Sequence, residues 1–195
     1  MKRVLSLILT ASLLLTLCAP ALADGFVSGT GTQSSGVTTT TSTVVFPFRM
    51  YYGIVGADTL WKVYSAPSAY AWRGANGNAK VDATSPFYVA GWDGDWLLVA
   101  YTVTKGGWRV GYVTRKQVAY RVSASEIGMH FLYEQRELSG TIQVSDDPTF
   151  NNIAASASGT FTVTYLCDLT INGVTYPYYQ TEMDGQTFRG FIRVY

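Results

Sequence analysis

The sequence predicts an all-β protein built from two small, partly open barrels in tandem. Aromatic residues make up 14% of the 195 residues and charged residues only 14%, with 14 tyrosines. Aromatic and β-branched residues favour strands over helices. Short apolar runs also alternate with glycine-bearing turns, and a pattern in the first half returns in the second. These three observations favour strands in two related units.

Residues 1–23 are typical of a signal peptide. Lys2 and Arg3 precede an apolar stretch, and small residues stand at Ala21 and Ala23. This order matches a secretory signal cut after Ala23, and the apolar stretch is short for a bilayer span. We therefore expect a secreted protein of the extracellular cell envelope without a membrane anchor after cleavage.

A lipoprotein cut before Cys18 is the alternative for the same segment. It is disfavoured because Leu17 stands where a small residue would be needed.

Residues 24–43 are rich in Ser, Thr and Gly and predict a flexible linker.

Signal removal takes Lys2 and Arg3 from the 14 basic residues, which leaves 12 against 13 acidic ones, a charge of −1. A chain without a basic excess is not expected to bind nucleic acid.

The first unit, 44–122, is expected to hold strands that begin near Leu60, Ser85, Asp95 and Trp108. The turns "WDGD" and "TKGG" join the last three. In the strand "WLLVAY" both alternating sets of side chains are apolar, so both faces are expected to be covered.

After a connector at 123–138, the second unit, 139–195, repeats this pattern of short strands and glycine-bearing turns. Gly106 aligns with Gly185 and Gly111 with Gly190, whereas Arg109 aligns with Phe188. The aligned glycines therefore indicate a shared fold, and Arg109 has weak support as a site. Domains this small are marginally stable alone, and two packed together are more stable.

The first unit contains the segments "VYSAPSAYAWRGANGNAKV" and "VAGWDGDWLLVAYTVTKGGWRVGYVT". Through them, about residues 60–114 resemble the bacterial SH3-like (SH3b) domains of exported Firmicute proteins. The second unit is similar to the partner domain that often follows, through its "DDP" turn and "RGFI". The resemblance implies two SH3-like barrels and a binding role at the cell envelope, often toward peptidoglycan or its peptide stems. The sequence departs from the many relatives that carry a fused amidase or peptidase, so no such domain is expected in it.

Ligand contacts in such a barrel are expected from its loops. Indole rings can stack on sugars or peptide planes, and arginine can pair with a carboxylate. The candidate ligand-binding residues are Tyr70, Trp72, Arg73, Asn76, Asn78, Trp92 and Trp108. The structural alternative places Trp72 in the barrel core and pairs Arg73 with Asp82.

No catalytic or metal site and no cofactor is expected. The chain has one histidine, His130, and one cysteine after signal removal, Cys167, and these two residues cannot fill the three or four ligand positions of an ordinary zinc site. A Cys167–His130 hydrolase is a remote alternative, because the thiol ends a strand rather than starting a helix. Cys167 is expected to be buried, with pairing between chains as its alternative.

The segments "DGD" and "DDP" are each expected to form turns rather than a calcium loop or a glycosidase pair.

The leading function hypothesis is a non-catalytic envelope binding module with peptidoglycan as its partner. The second is a protein-interaction scaffold that docks an envelope enzyme or receptor. Oligomeric state is left open.

Overall fold

The computed structural model describes residues 43–51, 60–84, 87–104, 106–118 and 128–195. Within them the chain forms strands and one short helix, α1 (Arg115–Val118), so the predicted all-β class is confirmed. The predicted signal peptide at 1–23 and all of the predicted linker except residue 43 lie outside the described residues. The strands are β1 (Val45–Pro47), β2 (Arg49–Tyr51), β3 (Leu60–Lys62), β4 (Lys80–Asp82), β5 (Phe87–Asp93), β6 (Trp96–Thr102), β7 (Trp108–Thr114), β8 (Glu134–Ser145), β9 (Ile153–Ile171), β10 (Val174–Met183) and β11 (Gln186–Val194).

The first half is organised around strand β6. An antiparallel sheet has the order β2-β5-β6-β7, and β3 and β4 form a separate pair. Leu97, Val99 and Tyr101 point into one apolar cluster, whereas Leu98 and Ala100 point into another. The prediction that both faces of this strand are covered is confirmed.

Four strands of the second half pair in a closed circuit. Strand β9 pairs with β10, β10 with β11, β11 with β8, and β8 again with β9. A small barrel requires pairing of this kind. The SH3-like form of the two units stays a prediction.

The two halves share one apolar cluster. Leu98 and Tyr112 of the first sheet pack there with Leu166, Tyr178 and Phe191 of the second, all of them buried. Full burial of one large apolar side chain contributes about 1.5–3 kcal/mol, so this shared cluster stabilises both small units. Their expected mutual packing is confirmed.

The aligned glycines occupy equivalent places. Gly106 and Gly185 both have positive φ in the turns before β7 and β11. A Cβ at Gly111 would lie 2.9 Å from the Tyr64 carbonyl oxygen, and one at Gly190 would overlap the Ser145 carbonyl. In each half, glycine therefore lets another backbone segment cross the closing strand.

The strands depart from the expected unit boundaries at two points. Strand β8 begins at Glu134, inside the segment 123–138 that we expected to connect the units. Strand β1 lies in the expected first unit, 44–122, yet it pairs in parallel with β9. The sequence "EQREL" did not predict a strand because it is rich in charged residues. In the structure one of these residues, Arg136, covers the Tyr165 ring, and its guanidinium carbon lies 4.0 Å from the ring centroid.

The described part of the chain holds no helix of the length and apolarity that a bilayer crossing needs.

Candidate ligand-binding site

The loop between β3 and β4 is held by its own polar groups. The Arg73 guanidinium donates to the carbonyl oxygens of Gly77 at 2.9 Å and Ala79 at 3.1 Å. Asp82 instead accepts hydrogen bonds from Thr84. The alternative Arg73–Asp82 pair is therefore wrong. Two guanidinium nitrogens of Arg73 stabilise the loop, which disfavours this side chain as the anchor for a ligand carboxylate.

Trp72 packs against the second half of the protein. It is half-buried and contacts a cluster formed around Ile142, Val163 and Phe188. The loop is fixed there because the Ser65 amide donates to the Trp72 carbonyl at 2.8 Å. Trp72 thus joins the two halves instead of lying inside the first barrel, and its packing limits access by a ligand.

Three other loop candidates lie open to solvent. Tyr70 is 95% exposed, and Asn76 and Asn78 are also exposed. They are the part of the predicted loop site that a large ligand could reach without rearrangement.

Trp92 is a core residue. Its side chain is only 5% exposed and belongs to the apolar cluster of the first half. The Arg115 guanidinium carbon lies 4.3 Å from the centroid of its ring. The expectation that Trp92 flanks an accessible site is therefore not supported, because core packing and a cation cover the indole.

Trp108 lines a groove between the two halves, which we call the aromatic groove. Phe48, Tyr88 and Trp108 supply its rings, and the Tyr88 and Trp108 centroids lie 4.8 Å apart in an edge-to-face arrangement. The groove has a volume of about 240 Å³. Its other lining residues are Pro47, Ala100, Thr170, Ile171, Asn172 and Gly173.

Sequence reasoning missed Phe48 and Tyr88. Tyr88 lies between the buried residues Phe87 and Val89 in β5, so alternation places it on the opposite face of the strand. That alternation was a usable signal for Tyr88. The approach of β9 to the same face was not visible in the sequence.

In the aligned strand of the second half, the arginine stands one position later than Arg109, at Arg189. Arg189 is buried between the halves and donates to Asp93, to the Tyr112 hydroxyl at 3.0 Å and to Gln180 at 2.8 Å. Burial raises the pKa of Tyr112 to about 12. Arg109 instead lies partly exposed, with its Nε 4.0 Å from an Asp146 carboxylate oxygen. Both arginines therefore contact acids of the other half.

The two acidic turns are structural. In "DGD", Gly94 has a φ of 57° in the turn between β5 and β6. In "DDP", Asp147 accepts from the Thr149 amide at 2.8 Å, as an Asx-turn requires. Burial raises the pKa of the neighbouring Asp146 to about 6, although Asn152 and Arg109 favour its charged form.

The candidate Cys–His pair is poorly suited to nucleophilic chemistry. Cys167 is completely buried, and burial raises its pKa well above the ordinary thiol value. His130 is exposed. A nucleophilic cysteine needs the opposite, an accessible thiol with a lowered pKa. Across the residues that the structure describes, no three His, Cys, Asp or Glu side chains form a group that could hold a metal ion.

Comparison of the chain with protein-family models, with curated proteins and with solved structures finds no match.

Proposed function

We propose that this chain is an exported, non-catalytic binding protein of the bacterial cell envelope, and that its aromatic groove binds the glycan strands of peptidoglycan. The observation that carries the proposal is the arrangement of Phe48, Tyr88 and Trp108 around a solvent-accessible volume of about 240 Å³. The SH3b resemblance supports the envelope setting.

The lining of the groove suits a neutral sugar better than a peptide stem. Aromatic rings offer apolar faces to the C–H groups of a sugar ring, and polar groups at the margin fix its orientation. The Thr170 hydroxyl and the Asn172 amide lie among the lining residues, which carry no charged side chain in the described part of the chain. A carboxylate-bearing stem would lose its hydration there without gaining a cation.

The non-catalytic role is supported by the state of the reactive side chains. The Cys167 thiol is buried, and the Asp147 carboxylate accepts hydrogen bonds within the turn that it caps. Asp146 receives the Asn152 amide at 2.7 Å. These groups are engaged within the fold, and none of them lines the aromatic groove.

A sedimentation assay with purified, insoluble peptidoglycan tests this function. Wild-type protein should co-sediment, and Trp108→Ala should lower the bound fraction at least fivefold. Tyr70→Ala is the matched control, since it removes an exposed aromatic ring outside the groove. Its bound fraction should equal that of the wild type. Trp108 is half-buried, so thermal unfolding of each variant must show that it is folded at the assay temperature.

Competition distinguishes the two parts of peptidoglycan. Soluble glycan strands, freed of peptide and amidated at their lactyl carboxyl groups so that they stay neutral, should displace the protein, whereas free peptide stems should not. Displacement by stems alone would overturn the glycan assignment. Retention of Trp108→Ala at the wild-type level would remove the groove from the proposal, and no retention of the wild type would refute peptidoglycan binding itself.

A further inference from the structure

Within the described part of the chain, one edge of β9 has no strand partner from Ile153 to Val163. At Thr164, β9 pairs with Gln135 of β8 on one edge and with Gln180 of β10 on the other. The pairing with β8 continues to Ile153, whereas the pairing with β10 ends at Gln180. Among the described residues, no backbone group of another segment bonds to this second edge of 153–163. We call it the free edge.

The free edge begins in a cleft where β9 and β10 diverge. The cleft has a volume of about 390 Å³, and its lining includes Thr162, Thr164, Gln180, Thr181 and Glu182. Thr181 is only 4% exposed, and its hydroxyl oxygen has no hydrogen-bond partner among the described residues. A buried hydroxyl without a partner is costly, so the wall of the cleft beside β10 is not fully satisfied.

The sequence of the free edge lacks the usual protection against pairing. Exposed edge strands commonly carry charged residues or proline, which block the addition of a further strand. The segment "IAASASGTFTV", 153–163, has neither. Its outward N–H and C=O groups are therefore free to pair with an extended chain.

The length of the free edge indicates which class of ligand can pair with all of it. At about 3.4 Å per residue, an 11-residue strand presents hydrogen-bonding groups over roughly 37 Å. A mono- or disaccharide could fill the cleft, but it would leave most of that edge unpaired. An added strand satisfies the edge along its length, as in β-augmentation.

We propose that β9 accepts an extended segment of a protein partner as an added strand, which enters the cleft beside β10. The charge of the cleft defines the partner further. Glu182 is a lining residue, and Glu137 stands directly across from Thr162 in β8. Two carboxylates beside the same strand favour a segment with lysine or arginine at this end. This inference goes beyond glycan binding and does not depend on it.

Synthetic peptides test the proposal with the intact chain. The first probe is a labelled decapeptide of alternating threonine and valine with two lysines. The second has the same sequence with every backbone amide of threonine and valine methylated, which removes these donors from the ladder. The third carries glutamate in place of lysine. Fluorescence anisotropy gives the affinities, and hydrogen–deuterium exchange locates the contact.

The lysine peptide should bind and should slow amide exchange within 153–163. Methylation should weaken binding at least tenfold, and the glutamate peptide should bind at least threefold more weakly than the lysine peptide. Glu182→Gln, a conservative change at an exposed side chain, should reduce this lysine preference. Ser139→Ala, on the far strand β8, should leave it unchanged.

Several results would overturn the proposal. The lysine peptide would not bind at millimolar concentration, or the methylated peptide would bind as tightly as the lysine peptide. A third such result is that the peptide slows amide exchange only outside β9 and β10. Protection of 153–163 that rises with protein concentration without peptide, together with a dimer mass, would assign the edge to a second copy of this chain. The peptide assay is separate from peptidoglycan sedimentation, so the two proposals fail independently.

Discussion

Replacement of Asp146 by asparagine should raise the free energy of unfolding at neutral pH. The Asp146 carboxyl is buried at the junction of the halves, where it faces Arg109 and the Asn152 amide, with Tyr101 and Asp147 also nearby. Burial raises its pKa from 3.8 to about 6. An acid whose pKa is higher in the folded state destabilises the fold as it ionises. Stability is therefore lost as pH rises from about 4 through 6.

The size of this effect follows from the two pKa values. A shift of one unit corresponds to about 1.4 kcal/mol, so the full penalty at neutral pH is about 3 kcal/mol. About 2 kcal/mol of it develops between pH 4.5 and 7.5. The substituted asparagine would keep an acceptor oxygen for the Asn152 amide without a charge that ionises. The variant should therefore gain about 2 kcal/mol over the wild type between these two pH values.

Urea unfolding of wild type and Asp146→Asn at pH 4.5 and 7.5 measures this difference. The comparison between proteins cancels the titration of all other groups, including Asp82, whose pKa is lowered by its hydrogen bonds from Thr84. An equal pH dependence in both proteins would show that Asp146 does not titrate in this range. A variant less stable than wild type at pH 7.5 would show that the Arg109 contact outweighs burial.

Three further predictions concern buried groups. Asp93→Ala leaves the buried Arg189 charge without its carboxylate and should lower the free energy of unfolding, measured in urea, by about 3 kcal/mol. Asp95→Ala removes an exposed ion pair and should lower it by less than about 1 kcal/mol. Equal losses in the two variants would contradict this. Gly190→Ala forces a methyl group into a neighbouring carbonyl and should lower the melting temperature by at least about 10 °C, measured by circular dichroism; an unchanged melting temperature would refute the overlap. The buried Cys167 should react with a thiol reagent only after denaturation, and rapid reaction of the native protein would contradict its burial.

Alternation predicted the parts of the fold that depend on neighbouring residues in one strand. Both faces of β6 are covered as expected, and the glycines of β7 and β11 occupy equivalent crossings. The start of β8 at Glu134 escaped prediction, because charged residues dominate it and its partners lie in β9, about 30 residues away. Its strand conformation is stabilised by that pairing rather than by local propensity.

The candidate site was less predictable than the fold. Sequence reasoning treated Trp72, Trp92 and Trp108 alike, because each indole stands in or beside a turn. The structure separates them. Trp92 enters the first core, Trp72 packs on the second half, and Trp108 lines the aromatic groove with Phe48 and Tyr88. Their accessibility depends on which segments from far along the chain cover each ring.

The sequence by itself determined the all-β class, the two-faced burial of β6 and the equivalence of Gly111 and Gly190, because composition, side-chain alternation and an internal repeat can all be read along the chain. Only the tertiary structure decided which residues form the core shared by the halves, that Arg189 pairs with Asp93 across it, and that β9 retains a free edge. These features depend on contacts between residues tens of positions apart. No local pattern specifies such contacts, since the surfaces that meet are assembled only when the chain folds.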